Sequence, residues 1–240
     1  MKDFKSELNK IKGKTLMVIF PHPDDESMMT GGLLSTAHKL GIRTVVVTMT
    51  KGGAGKIHIH PKGKSTTEVR YFELKKACER LCVSKLYVSD FPDGNLVGEK
   101  SKWSMWLMET IKNEKPKLIV TYDTSGLTGH PDHIVLSKEV LSIAHERNLN
   151  LYWVSLSEKL KKWFVPKEVE GNFCEPTHVL DFGNLWIKKW LAVKSHKSQR
   201  YAQVRITFPL FLYLSIYHFE WYHKVDFKRI YKVKYMDFKI

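Results

Sequence analysis

Thr15-Leu16-Met17-Val18-Ile19-Phe20-Pro21-His22-Pro23-Asp24-Asp25-Glu26 passes from an uncharged, largely apolar run into a short loop dense in imidazole and carboxylate. A near-continuous apolar run that ends at proline predicts a strand covered on both faces, the kind found in parallel sheets. Ser27–Leu40 then has helical spacing, with Gly41 where a helix C-terminal glycine falls. The side chains of His22 to Glu26 are therefore expected at a strand tip, facing the start of a helix.

The same alternation continues downstream. Strands are predicted at Arg43–Met49, Lys85–Ser89, Lys117–Tyr122 and Leu151–Ser155, and helices at Thr66–Leu81, Lys102–Asn113 and His133–Arg147. This order predicts an α/β fold: a Rossmann-like, mostly parallel sheet flanked by helices on both faces, in a single domain over residues 1–240. Ligands of such sheets bind at the carboxyl ends of the strands. Gly52–Ser65 reads as a long mobile loop and Leu185–Lys197 as a helix. The aromatic stretch Phe208–Tyr222 reads as a closing helix or strand.

Composition narrows the function classes. A chain of 240 residues with 43% hydrophobic content suits one well-buried domain. It has no apolar run long enough for a transmembrane helix, and its charged N-terminus lacks a signal-peptide core, so a cytoplasmic protein is expected. Cys78, Cys82 and Cys174 give no disulfide framework; Cys78 and Cys82, four apart, are expected as small core residues on a helix. The net charge of +14 is spread along the chain without a nucleic-acid motif, so no nucleic-acid partner is expected. A basic surface suits an anionic substrate or peripheral contact with an anionic membrane.

A second cluster, His130-Pro131-Asp132-His133, follows another predicted strand end. Catalytic zinc takes three His or carboxylate ligands and keeps one position open. His22 and Asp25, three apart across a tight turn, can converge on one ion, and His133 is placed to complete the set. Asp24 diverges from its neighbour and is free to act as a base. Asp132, between two histidines, is expected to orient one imidazole. Gly52-Gly53-Ala54-Gly55-Lys56 does not make a phosphate loop, because Ile57 stands where Ser or Thr should follow the lysine. His58 and His60 read as loop residues, and the seven tryptophans as packing residues, of which Trp103 or Trp106 could instead stack on a sugar.

These motifs resemble the LmbE/PIG-L family of zinc-dependent de-N-acetylases. The resemblance rests on Pro21–Glu26 with Gly31-Gly32, and on Thr128-Gly129-His130-Pro131-Asp132-His133. Arg70, Glu73, Leu74 and Ala77, Asp90 with Asp93-Gly94, and Lys194, His196, Ser198 and Gln199 extend it over roughly residues 14–200, leaving an aromatic, basic extension at 201–240. It implies Zn2+, or another divalent metal, on His22, Asp25 and His133, with Asp24 as general base. It makes His130 a general acid or oxyanion stabiliser held by Asp132, and Arg70 and Asp93 sugar contacts. The substrate implied is a small amino-sugar conjugate, an N-acetylglucosamine-containing glycoside. Glu26 is expected to give structural support. Gly53 stands where many relatives carry Glu, and Thr128 where some carry a mobile Tyr. The alternative is a non-catalytic basic binding protein of the same fold, acting at a membrane surface or on nucleic acid.

Overall fold

The computed structural model describes residues 1–59, 63–167, 173–199 and 211–228. Its eight strands are β1 (Lys2–Asp3), β2 (Thr15–Phe20), β3 (Arg43–Thr50), β4 (Lys85–Phe91), β5 (Leu118–Thr121), β6 (Asn150–Ser155), β7 (His178–Asp181) and β8 (Phe219–Lys224). They form one sheet in the order β1-β7-β8-β6-β5-β2-β3-β4. All neighbours are parallel except β8, which runs antiparallel to both β6 and β7. The mostly parallel α/β sheet expected from the sequence is the one that forms. The short β1 and β7 carry too little pattern to be read from sequence.

The helices are α1 (Phe4–Asn9), α2 (Asp25–Lys39), α3 (Thr66–Arg80), α4 (Lys100–Glu114), α5 (Gly126–Gly129), α6 (Pro131–Glu146), α7 (Glu158–Phe164) and α8 (Trp186–Val193). They cover both faces, and β2 shows why. Leu16, Val18 and Phe20 enter a core with Leu33 and Leu34 of α2 and Leu74 and Ala77 of α3. Met17 and Ile19 point the other way, to Trp103 and Leu107 of α4 and Leu136 and Val140 of α6. Each such side chain, fully buried, contributes about 1.5–3 kcal/mol. No solvent-facing side of the strand remains, which is why its sequence is apolar throughout.

Several expectations are corrected in detail. α2 and α6 start earlier than their periodicity indicates, because the motif residues form their first turns. Pro131 takes the first position of α6, where its missing N–H costs nothing, and the His130 ring accepts the Asp132 N–H as the cap. Cys78 is in the core, but Cys82 lies beyond α3. It adopts φ 58° at a helix stop where the Val83 N–H donates to the Cys78 carbonyl. Trp103, fully buried and donating to the Leu96 carbonyl, and Trp106, packed on Phe91, are packing residues as expected. Of Phe208–Tyr222, residues 208–210 lie outside the described residues, 211–216 are helical and Phe219 begins β8. His60 also lies outside the described residues. Among the described residues no helix is long and apolar enough to cross a membrane.

β8 also braces α2. That helix is interrupted at Thr30 (φ −133°, ψ 15°). Past the break, the Gly32 and Leu33 amides donate to the Glu220 carboxylate at 2.7 and 2.8 Å. Lys189 of α8 (2.6 Å) and the Tyr222 hydroxyl (2.7 Å) complete its shell. Glu220 thus serves the second half of α2 as a cap residue serves a helix start. Gly32 is required here, since a Cβ would come within 2.3 Å of the Phe182 ring.

Candidate metal centre

The loops after β2, β3, β4 and β5 meet at the carboxyl edge of the sheet and enclose a cleft of about 320 Å³. His22, Asp24 and Asp25 enter from the first loop, Ala54 and Gly55 from the second, Asp93 and Gly94 from the third, and His130 and His133 from the fourth. Two motifs distant in sequence are brought together because β2 and β5 are neighbours in the sheet.

Three of these residues turn one atom each toward a common point. His22 Nε2 faces Asp93 Oδ1 at 2.9 Å and Asp132 Oδ2 at 3.3 Å, which places a proton there and leaves Nδ1 to face inward. His133 Nδ1 donates to the Gly126 carbonyl at 3.1 Å, leaving Nε2 bare. Asp25 Oδ1 accepts from the Tyr122 hydroxyl at 2.5 Å, and Oδ2 is turned to the two imidazoles. The inward atoms are 3.2 Å (His22 Nδ1 to His133 Nε2), 3.9 Å (His22 to Asp25) and 4.0 Å (His133 to Asp25) apart. A triangle with those sides has a circumscribed circle of radius about 2.2 Å, close to the distance at which zinc takes nitrogen and carboxylate oxygen. The donor set fits a divalent ion.

Electrostatics point the same way. Burial opposes the His22 charge, but the hydrogen bonds to Asp132 and Asp93 and the nearby Asp25 outweigh it and raise the imidazole to about 10. Burial, His22 and His130 push His133 down to about 3. One imidazole therefore holds a cation and the other presents a lone pair to it. A proton on His22 Nδ1 stands where a metal ion would.

Asp24 sits beside this triangle with φ 97°, a left-handed conformation rare outside glycine, at the start of α2. The Glu26 carboxylate holds it there by accepting the Asp24 N–H at 2.9 Å. Glu26 is fully buried and takes His196 Nε2 (2.9 Å) and the Ser27 hydroxyl (2.5 Å) on its other oxygen. The Asp24 carboxyl is 26% exposed, so water reaches it. Burial and the neighbouring Asp25 charge push it up, against the pull of Arg70, to about 7.

The remaining expected residues are present with different partners. Asp132 does not reach the His130 ring; its carboxylate takes His22 Nε2 and the Gly94 and Leu96 amides. It orients an imidazole, but the one on the other loop. His130 Nδ1 accepts from the Asp132 amide, so the neutral ring carries its proton on Nε2. Asp93, besides His22, accepts from the Ala54 amide at 2.9 Å. Arg70 donates to the Gly52 carbonyl (3.0 Å) and the Pro23 carbonyl (2.8 Å), and lies 3.4 Å from Asp24. It ties the loops after β2 and β3 together. Gly52, at φ +69°, allows this, since a Cβ there would come 2.3 Å from the guanidinium.

The C-terminal signature closes the site from behind. His196 pairs with Glu26, the Ser198 amide and hydroxyl donate to Glu73, and Gln199 donates to the Lys56 carbonyl. Sequence reasoning missed Tyr122 and the Gly126 carbonyl. Only Tyr122 left a signal, its even parity with Leu118 and Val120.

Comparison with known proteins identifies the family and the fold. Residues 17–144 match the family model described as PIG-L: GlcNAc-PI de-N-acetylase. A 1D-myo-inositol 2-acetamido-2-deoxy-alpha-D-glucopyranoside deacetylase from Saccharopolyspora erythraea is 26% identical over 226 residues, 76% of this chain and 82% of that one. The match spans about half the length of the first curated relatives, 50% in one from Acidothermus cellulolyticus. Among solved structures, N,N'-diacetylchitobiose deacetylase from Pyrococcus horikoshii aligns at TM-score 0.66 and 18% identity over 94% of both chains. The 4-carboxy-2-hydroxymuconate hydratase from Pseudomonas putida aligns at 0.64 and 15% identity, over 89% of this chain and 96% of that one. At these identities the structural likeness establishes the fold alone.

Proposed function

We propose, from the premise that the chain belongs to the PIG-L family of GlcNAc-PI de-N-acetylases, that it is a metal-dependent amide hydrolase. Its reaction is removal of the acetyl group from a small N-acetylglucosamine-containing conjugate. The observation that carries this reading is the triangle of His22 Nδ1, Asp25 Oδ2 and His133 Nε2, all turned to one centre while the other donor atom of each residue is held by a hydrogen bond. These three residues hold zinc or another divalent ion. When bound, the ion supplies a Lewis acid that polarises the amide carbonyl and acidifies water.

This chain's own residues do the rest. Asp24, held near neutrality and open to water, accepts the proton of the attacking water. The His130 Nε2–H donates to the carbonyl oxygen as it gains charge. Asp24, then protonated, returns a proton to the departing nitrogen, and free amine and acetate leave. Arg70 keeps Asp24 in place, and Asp93 keeps His22 in the tautomer that faces the ion. Both line the cleft, where the sugar binds. Relatives and neighbours named as deacetylases of a 2-acetamido-2-deoxy-glucopyranoside and of N,N'-diacetylchitobiose support the substrate class.

The test is release of primary amine from a panel of N-acetylglucosaminyl conjugates by zinc-loaded protein. Amine that appears with zinc, stops on chelation and falls about 10²–10⁴-fold in Asp24→Asn is the expected result. Full activity in Asp24→Asn with metal still bound removes Asp24 as the base. Bound metal with no amine from any conjugate removes the substrate class.

A further inference from the structure

Tyr122 touches two of the three donor residues. It directly follows β5, and its parity with Leu118 and Val120 turns it into the core shared with Phe20. It is 2% exposed. Its hydroxyl donates to Asp25 Oδ1 at 2.5 Å, and its ring lies flat on the His133 imidazole, centroids 4.3 Å apart and planes within 9°. It reaches both residues from the side away from the cleft.

We propose that Tyr122 is a positioning residue of the metal centre, restricting Asp25 to one donor oxygen and fixing the plane of His133. The inference rests on reading His22, Asp25 and His133 as metal ligands.

A free carboxylate offers a metal two oxygens and can grip it with both. Here Oδ1 is engaged by a buried phenol, and turning it to the ion would strand that hydroxyl in the core, where unpartnered polar groups are costly. Oδ2 also accepts the His22 backbone N–H at 3.1 Å, so the carboxylate is held at both ends. His133 is fixed in the same way: the Gly126 carbonyl takes its Nδ1–H and the phenol ring covers its face, so Nε2 has one direction left. A three-ligand site with an open position needs a single-oxygen carboxylate and imidazoles that do not swing. One side chain meets both requirements.

The experiment measures zinc affinity by competition with a chromophoric chelator, on the full chain, in wild type, Tyr122→Phe and Tyr152→Phe. Tyr152→Phe is the control. It removes another phenol–carboxylate bond, Tyr152 to Glu7 at 2.9 Å, from an equally buried residue that does not line the cleft. Tyr122→Phe keeps the stacked ring and loses only the hydrogen bond. The expected result is a Kd raised roughly 10- to 100-fold in Tyr122→Phe alone, with a changed visible spectrum of its Co2+ form. Wild-type affinity and spectrum in Tyr122→Phe, or equal loss in both variants, overturns the proposal. Wild type that takes up no stoichiometric zinc overturns the ligand reading itself, and this inference with it. Should Tyr122→Phe not fold, the crystal structure of the zinc-loaded wild type decides. Asp25 bound through Oδ2 with Tyr122 on Oδ1 supports the assignment, and two oxygens on the ion with the phenol turned away refutes it.

Discussion

Replacing Glu220 with Gln preserves the shape of the side chain and removes its charge. The native carboxylate accepts from the Gly32 and Leu33 amides, Lys189 Nζ and the Tyr222 hydroxyl. A glutamine has one acceptor oxygen and must turn its NH2 toward donors. Whichever way the amide lies, one α2 backbone amide loses its partner, and in one of the two orientations Lys189 loses its partner as well. Lys189 is 8% exposed and Glu220 4%, so water cannot take over. Stranding one member of a buried ion pair costs about 3–5 kcal/mol, and an orphaned buried amide about 1–3 kcal/mol. Both penalties fall on one network and overlap, so the expected loss is about 4 kcal/mol in urea unfolding, with m unchanged. Lys189→Met keeps the stem that packs along Gly31 and removes the stranded cation. The double variant should therefore regain about 2 kcal/mol over Glu220→Gln, a coupling that a double-mutant cycle reads directly. A loss below about 1 kcal/mol, or a coupling near zero, would refute the account of Glu220 as the buried cap of α2.

Other perturbations test other parts of the structure. Asp132→Asn should raise the Kd for zinc about 10- to 100-fold, because the amide cannot accept from His22 and both loop amides together; unchanged affinity would show that His22 needs no such support. Gly52→Ala forces a Cβ onto Arg70 at a left-handed position, and should cost about 2 kcal/mol or more by thermal unfolding, with loss of amine release; a variant as stable and active as wild type contradicts the packing described. Glu7 is half-buried, which opposes its charge, yet Lys10, Tyr152 and Lys224 hold its carboxyl down at about 2, below the ordinary 4.5. A carboxyl depressed on folding stabilises above its unfolded value, and that stability is lost as pH falls toward the folded one. Glu7→Gln should thus cost about 1–2 kcal/mol at pH 7, allowing for solvent screening, with the gap closing between pH 4.5 and 2. A gap that stays constant over that range would assign the loss to packing instead.

The fold was legible where burial imposes a pattern. β2, β3 and β5 are covered on both faces and so read as apolar runs, and the loops at their ends carried their chemistry in plain view. β8 was harder to read, because its inward residues are Glu220 and Tyr222 and its place depends on partners far away in sequence. In the site, the residues themselves were legible and their pairing was not. The family resemblance implied that Asp132 holds His130, but the first turn of α6 sends its carboxylate across to His22. Periodicity assigns a side chain to a face, and only the assembled loops decide which atom it meets.

The position of β8 has a consequence for how the chain is made. Synthesis delivers β6 and β7 first, and the strand that belongs between them last among the described elements. Until residues 219–224 emerge from the ribosome, β6 and β7 flank a missing strand and offer open edges to other chains. Lys189 then has no counter-charge, and the far half of α2 has no cap. A nascent chain arrested after residue 199 carries every residue proposed for catalysis and metal binding, yet lacks the strand that seals its sheet. Such a truncated product should bind chaperones and aggregate rather than hydrolyse substrate.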